Sequence, residues 1–253
     1  HEVICVDNAS RDKLTDILAR RGITYLRNED NLGFSRACNQ GAKLAASEFL
    51  LFMNPDVVLA EGAIQILIEA ARKYADADVF VPRTLRPSGA LWFHDISSLE
   101  RRTLSRSYWQ SSIAGDCCTR FVDGGVFLIR RSTFMALGGF DERIFLYFED
   151  DDLTLRLLQN GKTIIHVNEA IATHRLGQST KNSLRELFRR EYHKKRSEHY
   201  VKAKYGMPVR LGREYRATLL KLLYYIATLR VHRATRSLGR LSALSALSVG
   251  RAS

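Results

Sequence analysis

What most constrains this chain is a repeated pairing. A short apolar run is stopped by an acid, an asparagine or a proline, and a stretch with helical spacing follows. Residues 3–6 (VICV) end in Asp7-Asn8-Ala9-Ser10, and apolar residues then recur at Leu14, Ile17 and Leu18. Residues 23–26 lead into the turn chemistry of residues 28–33, after which residues 34–44 read as a helix rich in small residues. Residues 49–53 (FLLFM) are stopped by Asn54-Pro55-Asp56, and residues 60–74 carry Ile64, Leu67, Ile68 and Ala71 on one helical face. Residues 79–81 form another run before Pro82. Strands alternating with helices predict an α/β fold: a Rossmann-like, mostly parallel sheet with flanking helices. Such sheets bind ligands outside the carboxyl ends of their strands. Asp7 and Asp56, each just past an apolar run, are therefore expected on one rim.

Residues 84–119 break the rhythm. They read as a long, partly mobile excursion in which Trp92, Phe93, Tyr108 and Trp109 stand among polar and basic residues. Regularity returns with a strand at 126–129, a short helix at 131–137 and a tight loop at 138–142 (GGFDE). A helix is expected from Glu149 to Leu158, ended by Asn160-Gly161, and a last strand at 163–167. His174 follows in what reads as a polar loop.

The charge divides the chain. From Lys181 onward there are 18 Lys and Arg against 4 Asp and Glu, leaving 21 basic and 23 acidic residues before it, within a total of +12. The organisation expected is a near-neutral catalytic body over 1–180 and a basic helical tail over 181–253. In the tail, residues 183–205 read as a helix. Residues 219–229 (LLKLLYYIATL) are apolar and flanked by Arg213, Arg216, Arg230 and Arg233. That run is too short to span a bilayer. It suits an interfacial helix on an anionic membrane surface, or a helix packed on the body with a solvated basic face. Residues 241–253 are expected to fray. The four cysteines show no metal-ligand spacing and read as reduced in a cytosolic setting. The abrupt opening, His1-Glu2 directly before an apolar run, reads as the continuation of something longer.

Four places carry chemistry. Asp56 can hold a hard divalent cation that takes its other ligands from water and phosphate, or it can simply stop a strand. Glu149-Asp150-Asp151-Asp152 puts four acids at a helix start. Dipole complementation, about 0.3–1 kcal/mol per acid, accounts for one or two of them more readily than four mutually repelling ones, so a tuned general base or a nearby cation is expected. Asn31-Leu32-Gly33 opens a helix, whose N-terminus suits phosphate or is a plain turn and cap. His174, taken alone, signals little.

In order and spacing these pieces resemble the family 2 glycosyltransferases with a GT-A fold, in particular their rhamnosyltransferase-like branch. Residues 6–10 (VDNAS) look like the strand end that meets the nucleotide base. Residues 28–41 (NEDNLGFSRACNQG) resemble the segment with spaced asparagines and glycines, and residues 51–57 (LFMNPDV) resemble the metal motif with Asn for its first Asp. Residues 121–125 (FVDGG) followed by Arg130-Arg131, the pair GGFDE and YFEDDDL, and His174 with Gly177 and Ser179 complete the series over roughly residues 2–200. The resemblance implies Asp150 as catalytic base. It puts Asp7, Asn8, Asn31, Gly33, Arg36 and Asn54 on the nucleotide sugar, and Gly124, Gly125, Trp92 and Glu149 on the acceptor side. Asp56 and His174 are implied as metal residues for Mg²⁺ or Mn²⁺.

The activity implied is inverting transfer of a sugar, with rhamnose on thymidine diphosphate favoured, to a glycan or polyprenyl-linked acceptor in cell-surface polysaccharide synthesis. A cytoplasmic site, peripheral on the inner membrane face, would suit it. No specific nucleic-acid partner is implied. The family normally has one more strand and helix ahead of the Asp7 strand, so weakened binding or an inactive fragment is one expectation. Two other readings stay open: a sugar nucleotidyltransferase, which shares this type of sheet, and a nucleic-acid-binding protein acting through the basic tail, with steep salt dependence.

Overall fold

The structure, a computed structural model, describes residues 2–10, 17–18, 20–92, 96–99, 114–175 and 183–249. Two compact units divide it: His1–Arg143 with Glu149–Ser179, and Ile144–Phe148 with Thr180–Ser253. Most of the helix expected at 11–21, the aromatic residues Phe93, Tyr108 and Trp109, and Gly177 and Ser179 lie outside the described residues.

In the first unit, β1 (Ile4–Asn8) and β2 (Thr24–Asn28) pair in parallel. Helix α1 (Phe34–Leu44) follows. A six-stranded sheet is built from β3 (Phe49–Met53), β4 (Val57–Leu59), β5 (Val79–Leu85), β6 (Cys117–Thr119), β7 (Val126–Arg130) and β8 (Ile164–His174). Its order is β3-β7-β5-β8-β4, with β6 also on β8. Helices α2 (Ala63–Lys73), α3 (Arg131–Ala136) and α4 (Glu149–Gln159) complete the unit.

The α/β class with flanking helices is observed, but the sheet is mixed rather than mostly parallel. Within the six strands only β5–β8 is parallel; β3–β7, β5–β7, β4–β8 and β6–β8 are antiparallel. The alternation of patterns reports that a strand exists, not which neighbour it takes. After the excursion, β7 inserts between β3 and β5 and runs against both.

The apolar runs are continuous because both sheet faces are covered. Successive residues point to opposite faces. Leu50, Val79, Val81, Phe127, Ile129 and Ile164 join one buried layer with Ala42 of α1, Phe134 of α3 and Leu153 and Leu157 of α4. The intervening Phe80, Leu128 and Ile165 join the opposite layer with Leu67, Ala70 and Ala71 of α2. In the first layer Phe52 packs on Phe127 (5.1 Å) and Phe134 (4.8 Å), and Phe140 packs edge-on against Phe134 (5.4 Å). Each such pair adds about 0.5–1.5 kcal/mol beyond its burial.

This layer fixes the Gly138-Gly139 loop. Asn39 of α1 accepts the Phe140 N–H (2.9 Å) and donates to the Phe140 carbonyl (2.9 Å) and to Glu142 (3.1 Å). Gly139 has φ +74°, and a Cβ there would lie 2.5 Å from Asn39 Oδ1. Only glycine admits both the left-handed backbone and the close approach.

The second unit holds α5 (Leu184–Lys204), α6 (Leu211–Ala227) and α7 (Val231–Val249). Ser183 caps α5 by accepting the Glu186 N–H at 3.1 Å. Gly239 of α7 sits against α5, where a Cβ would lie 2.6 Å from the Phe188 carbonyl oxygen. Arg240 pairs with Glu191 at 2.7 Å. Glu214 of α6 accepts from Lys195 (2.9 Å) and stands 3.0 Å from His199 Nε2. The strap Ile144–Phe148 is held by Ser197 Oγ donating to the Leu146 carbonyl (2.9 Å) and by Phe145 stacking on His193 (4.1 Å). Residues 241–249, expected to fray, belong to α7, where Leu241, Ala243 and Leu244 are buried. No helix among the described residues is long and apolar enough to cross a membrane.

Candidate active site

Gly124 and Gly125, just before β7, are where the candidate residues meet. A Cβ on Gly124 would stand 3.1 Å from Asp150 Cβ and 3.2 Å from Asp150 Oδ2. A Cβ on Gly125 would stand 3.0 Å from His174 Nδ1 and 3.1 Å from Asp123 Oδ1. The Gly125 carbonyl accepts the Asn54 N–H at 2.9 Å. His174 Nε2 lies 3.3 Å from Asp56 Oδ1. Asp150, Gly124, Gly125, Asn54, Asp56 and His174 thus converge, and the two glycines leave room for side chains to lie against their backbone.

Local folding explains the meeting of Asp56 and His174. Pro55 helps stop β3, and the Val57 N–H donates to the Asn54 carbonyl (3.1 Å), turning the chain into β4. This three-residue strand, which the apolar pattern did not announce, pairs antiparallel with β8 in the register Val57↔His174. The Arg175 N–H then donates to the Asp56 carbonyl at 2.8 Å. His174 is the last residue of a strand, not part of a polar loop.

The four acids of α4 divide their work. Asp152 pairs with Arg156 (2.9 Å), and Arg156 also donates to the carbonyls of Leu137 (2.9 Å) and Gly139 (2.7 Å). Asp151 accepts from the Ser97 hydroxyl, the Ser98 N–H (2.9 Å) and the Ser98 hydroxyl (3.1 Å), anchoring part of the excursion. Glu149 is buried, its Oε2 has no hydrogen-bond partner among the described residues, and its charge helps to raise the Cys38 thiol, which burial raises most. Asp150, part-buried, accepts the Asp151 N–H at 2.9 Å and is the member of the cluster that adjoins Gly124. Ahead of them, Tyr147 and Phe148 hold left-handed conformations (φ 62° and 68°), which bulky residues adopt only when their surroundings impose it.

Burial pushes the Asp150 carboxyl well above the usual range, and the charges of Glu149, Asp151 and Asp123 push the same way. Burial pushes Glu149 up to about 7, aided by Asp151. For a carboxyl raised in the folded state, the stabilising contribution is full below the unfolded value, about 4.3, and is lost as pH rises through about 7. Glu149→Gln is therefore expected to gain stability relative to the parent between pH 5 and pH 8. Thermal unfolding at both pH values checks this; an unchanged difference would contradict the burial of a titrating carboxyl.

Asp123 belongs to the site although no role was expected for it. Its Oδ1 accepts the Gly125 N–H at 2.9 Å, and its charge reaches Asp150. With Trp92, Phe121, Thr84 and His166 it lines a small cavity. Trp92 is held there by its backbone N–H, which donates to the Thr84 carbonyl (2.8 Å), and by the Arg86 guanidinium over its ring (4.6 Å). Burial, reinforced by Arg83, lowers His166 to about 4, so that residue is neutral at physiological pH. An acid directly ahead of a Gly-Gly pair was the available signal for Asp123.

Apart from Asn54, which meets Gly125, the residues expected on the nucleotide are organised around β1, β2 and α1. Asp7 Oδ1 accepts the Ser10 N–H (2.8 Å), and its Oδ2 accepts from Tyr25 (2.8 Å) and Arg27 (2.8 Å). Against the upward pull of burial, these bonds hold Asp7 below the usual carboxylate range. Asn8 donates to the Gly33 carbonyl (2.8 Å) and accepts from Asn28 (2.8 Å), which is bonded to Gln40 of α1 (2.9 Å). Asn31 accepts the Gly33 N–H (3.0 Å), and Gly33, at φ 91°, enters α1. Asp7, Asn8 and Asn31 thus brace one rim through bonds within the protein. Arg36 is exposed and stands 3.5 Å from Glu142.

Asp56 and His174 offer one carboxylate oxygen and one imidazole nitrogen at a common point. No group of three or more His, Cys, Asp or Glu able to hold a metal occurs among the described residues. A two-residue donor set fits a Mg²⁺ or Mn²⁺ ion that completes its shell with diphosphate and water oxygens.

The family model for glycosyl transferase family 2 matches residues 1–137, a stretch that ends before Asp150 and His174. The chain is 28% identical over 207 residues to N-acetylglucosaminyl-diphospho-decaprenol L-rhamnosyltransferase of Mycobacterium tuberculosis (strain CDC 1551 / Oshkosh), covering 70% of this chain and 67% of that protein. It is 26% identical over 174 residues to the rhamnosyltransferase WbbL of Escherichia coli (strain K12), covering 63% and 64%. The chain thus spans about two thirds of the length of these relatives. Among solved structures it resembles GalNAc-T7 with UDP, GalNAc and Mn²⁺ (TM-score 0.56, 18% identity, 71% of this chain and 39% of that one). It also resembles the mannosyltransferase PcManGT from Pyrobaculum calidifontis with GDP-Man and Mn²⁺ (TM-score 0.55, 15% identity, 100% and 67%). At these identities the likeness shows the fold, which is GT-A.

Proposed function

The chain belongs to glycosyl transferase family 2, and from that membership we propose that it moves a sugar from a nucleoside diphosphate to a hydroxyl of a lipid-linked glycan, with inversion at the anomeric carbon. Rhamnose is the sugar named for both rhamnosyltransferase relatives, and one of them is named for a polyprenyl-diphosphate-linked N-acetylglucosamine acceptor. The observation that carries the reading is the convergence of Asp150, the Gly124-Gly125 backbone, His174 and Asp56. Synthesis of cell-surface polysaccharide at the cytoplasmic face of a membrane is the setting that such an acceptor suggests.

The chemistry follows from what each group offers. The acceptor hydroxyl is a weak nucleophile and needs a base within about 3 Å. Asp150 takes its proton while the oxygen bonds to the anomeric carbon and the carbon–oxygen bond to the diphosphate breaks, its electron pair leaving with the diphosphate. Raised above the usual carboxylate range, Asp150 is a stronger base than an exposed aspartate. Asp56 and His174 would hold a Mg²⁺ or Mn²⁺ ion, which when bound offsets the charge that develops on the leaving group. Retention would call for a carboxylate nucleophile on the opposite side of the sugar. Asp151 and Asp152 are engaged with Ser97, Ser98 and Arg156, and Glu149 is buried, which favours a single base and inversion. Trp92 and Asp123 offer an aromatic face and a carboxylate of the kind that grips a sugar acceptor. The rim braced by Asp7, Asn8, Asn31 and Gly33 would receive the nucleotide, with Asn54 and Arg36 toward its ribose or diphosphate.

The test is incubation with thymidine diphosphate rhamnose, a polyprenyl-diphosphate N-acetylglucosamine and Mn²⁺. Product configuration is read by NMR and released nucleoside diphosphate is quantified. The expected result is the inverted anomer with one nucleoside diphosphate released per linkage. A retained anomer would remove Asp150 from its role, and pyrophosphate release would indicate nucleotidyl transfer.

A further inference from the structure

We propose that α6 and the turn after it form a membrane-surface element that lies in the plane of an anionic bilayer. The inference rests on the second unit alone and stands apart from the transfer reaction. None of the 17 residues of α6 is buried. Leu220 is 68% exposed, Leu223 55%, Tyr224 53% and Ile226 57%, values at which a helix gains nothing from an apolar stripe unless something else covers it. At about 100° per residue, Leu219, Leu223 and Ile226 share one side, and Leu220 and Tyr224 widen it. The part-buried residues Glu214, Thr218, Leu222 and Tyr225 fall on the other side, where Glu214 bonds to Lys195 of α5.

The turn repeats the pattern. Leu229 is 86% exposed and left-handed (φ 53°). The Arg230 N–H donates to the Tyr225 carbonyl at 2.8 Å and closes the helix end around it. Glycine is the usual occupant of that position. A leucine there is strained, and it displays its side chain instead of burying it.

Charge identifies the covering partner. The apolar run 219–229 contains Lys221, is preceded by Arg213 and Arg216 and is followed by Arg230 and Arg233. Glu214 is the one acid of α6. Arg230 lies over the Tyr224 ring (5.7 Å) and Arg233 over the Tyr225 ring (5.8 Å), pairing cationic heads with amphipathic rings as bilayer interfaces favour. With 18 Lys and Arg against 4 Asp and Glu from Lys181 onward, two copies brought face to face would repel. Anionic headgroups would draw the same bases in. The run of 11 residues is about 16 Å long as a helix, against a hydrocarbon core of about 30 Å, so it lies on the membrane rather than crossing it.

Flotation of the full chain with vesicles tests this. One set is phosphatidylcholine and the other a mixture of phosphatidylcholine and phosphatidylglycerol. Binding is expected to the mixed vesicles, weakening with salt, and little to phosphatidylcholine alone. The triple variant Leu220→Glu, Leu223→Glu, Ile226→Glu is expected to bind the mixed vesicles at least about tenfold more weakly. Its thermal unfolding should be unchanged, because these side chains are exposed. Arg213→Gln, Arg216→Gln and Arg230→Gln together should remove the preference for anionic lipid. Failure of the parent chain to float, or flotation of the Glu variant at parent strength, would overturn the proposal. Self-association abolished by the Glu substitutions, without vesicle binding, would overturn it in favour of a second copy. Nucleoside diphosphate affinity of the Glu variant, expected to equal the parent's, keeps this outcome separate from the transfer reading.

Discussion

Asp150→Asn is expected to lower the rate of sugar transfer by about 10²–10⁴-fold, the range spanned by loss of a general base, while nucleoside diphosphate affinity stays nearly unchanged. The substitution keeps the shape of the side chain. Its amide oxygen can still accept the Asp151 N–H that Asp150 Oδ1 accepts at 2.9 Å, so the start of α4 and its lie against Gly124 should persist. What is lost is the ability to take a proton. In the parent enzyme the base must be ionised, and burial together with the Glu149, Asp151 and Asp123 charges raises its carboxyl. The rate should therefore rise with pH along a limb above the ordinary aspartate value of about 3.9, and the variant should lack that limb. Steady-state kinetics and nucleotide titration of both proteins check this. Equal loss of binding and turnover would reassign Asp150 to the donor site.

The second large effect concerns Asp56. Asp56→Ala should remove most of the gain in nucleoside diphosphate affinity that Mn²⁺ or Mg²⁺ confers, leaving the metal-free affinity in place. His174→Ala should do the same in part, since His174 Nε2 lies 3.3 Å from Asp56 Oδ1. Because both residues would act on one ion, the double variant should lose little more than Asp56→Ala alone, departing from additivity as residues sharing a partner do. Metal dependence that survives in Asp56→Ala would move the cation elsewhere.

Much of this arrangement was legible in the amino-acid order, and the illegible parts have physical reasons. Helix α1 and strand β3 begin and end where their turn residues say, because Gly33 and the Asn54-Pro55 pair punctuate the chain locally. The three-residue β4 is too short to leave a periodic signal, yet its register with β8 is what brings Asp56 to His174. His174 alone therefore said little until the motif order was considered. The direction of β7 was hidden because strand pairing is settled by the sheet, not by the strand. In the acidic cluster the pattern announced that something beyond a helix dipole was present. It could not apportion the acids, since the partners of Asp151 and Asp152 come from Ser97, Ser98 and Arg156. Asp123 stands in the FVDGG segment, but what it contacts, the Gly125 N–H and the charge of Asp150, is set by the fold and not by an apolar pattern around it. In the tail, residues 241–249 read as loose because their residues are small, yet they continue α7 with Leu241, Ala243 and Leu244 buried.

Calorimetric titration decides whether a nucleoside diphosphate site is completed by a cation at Asp56 and His174. The chain would be titrated with thymidine, uridine and guanosine diphosphates, each with and without Mn²⁺. Binding of one of the three, strengthened by the ion in the parent and not in Asp56→Ala, is the result expected. Binding of none, or binding indifferent to Mn²⁺, would contradict the account.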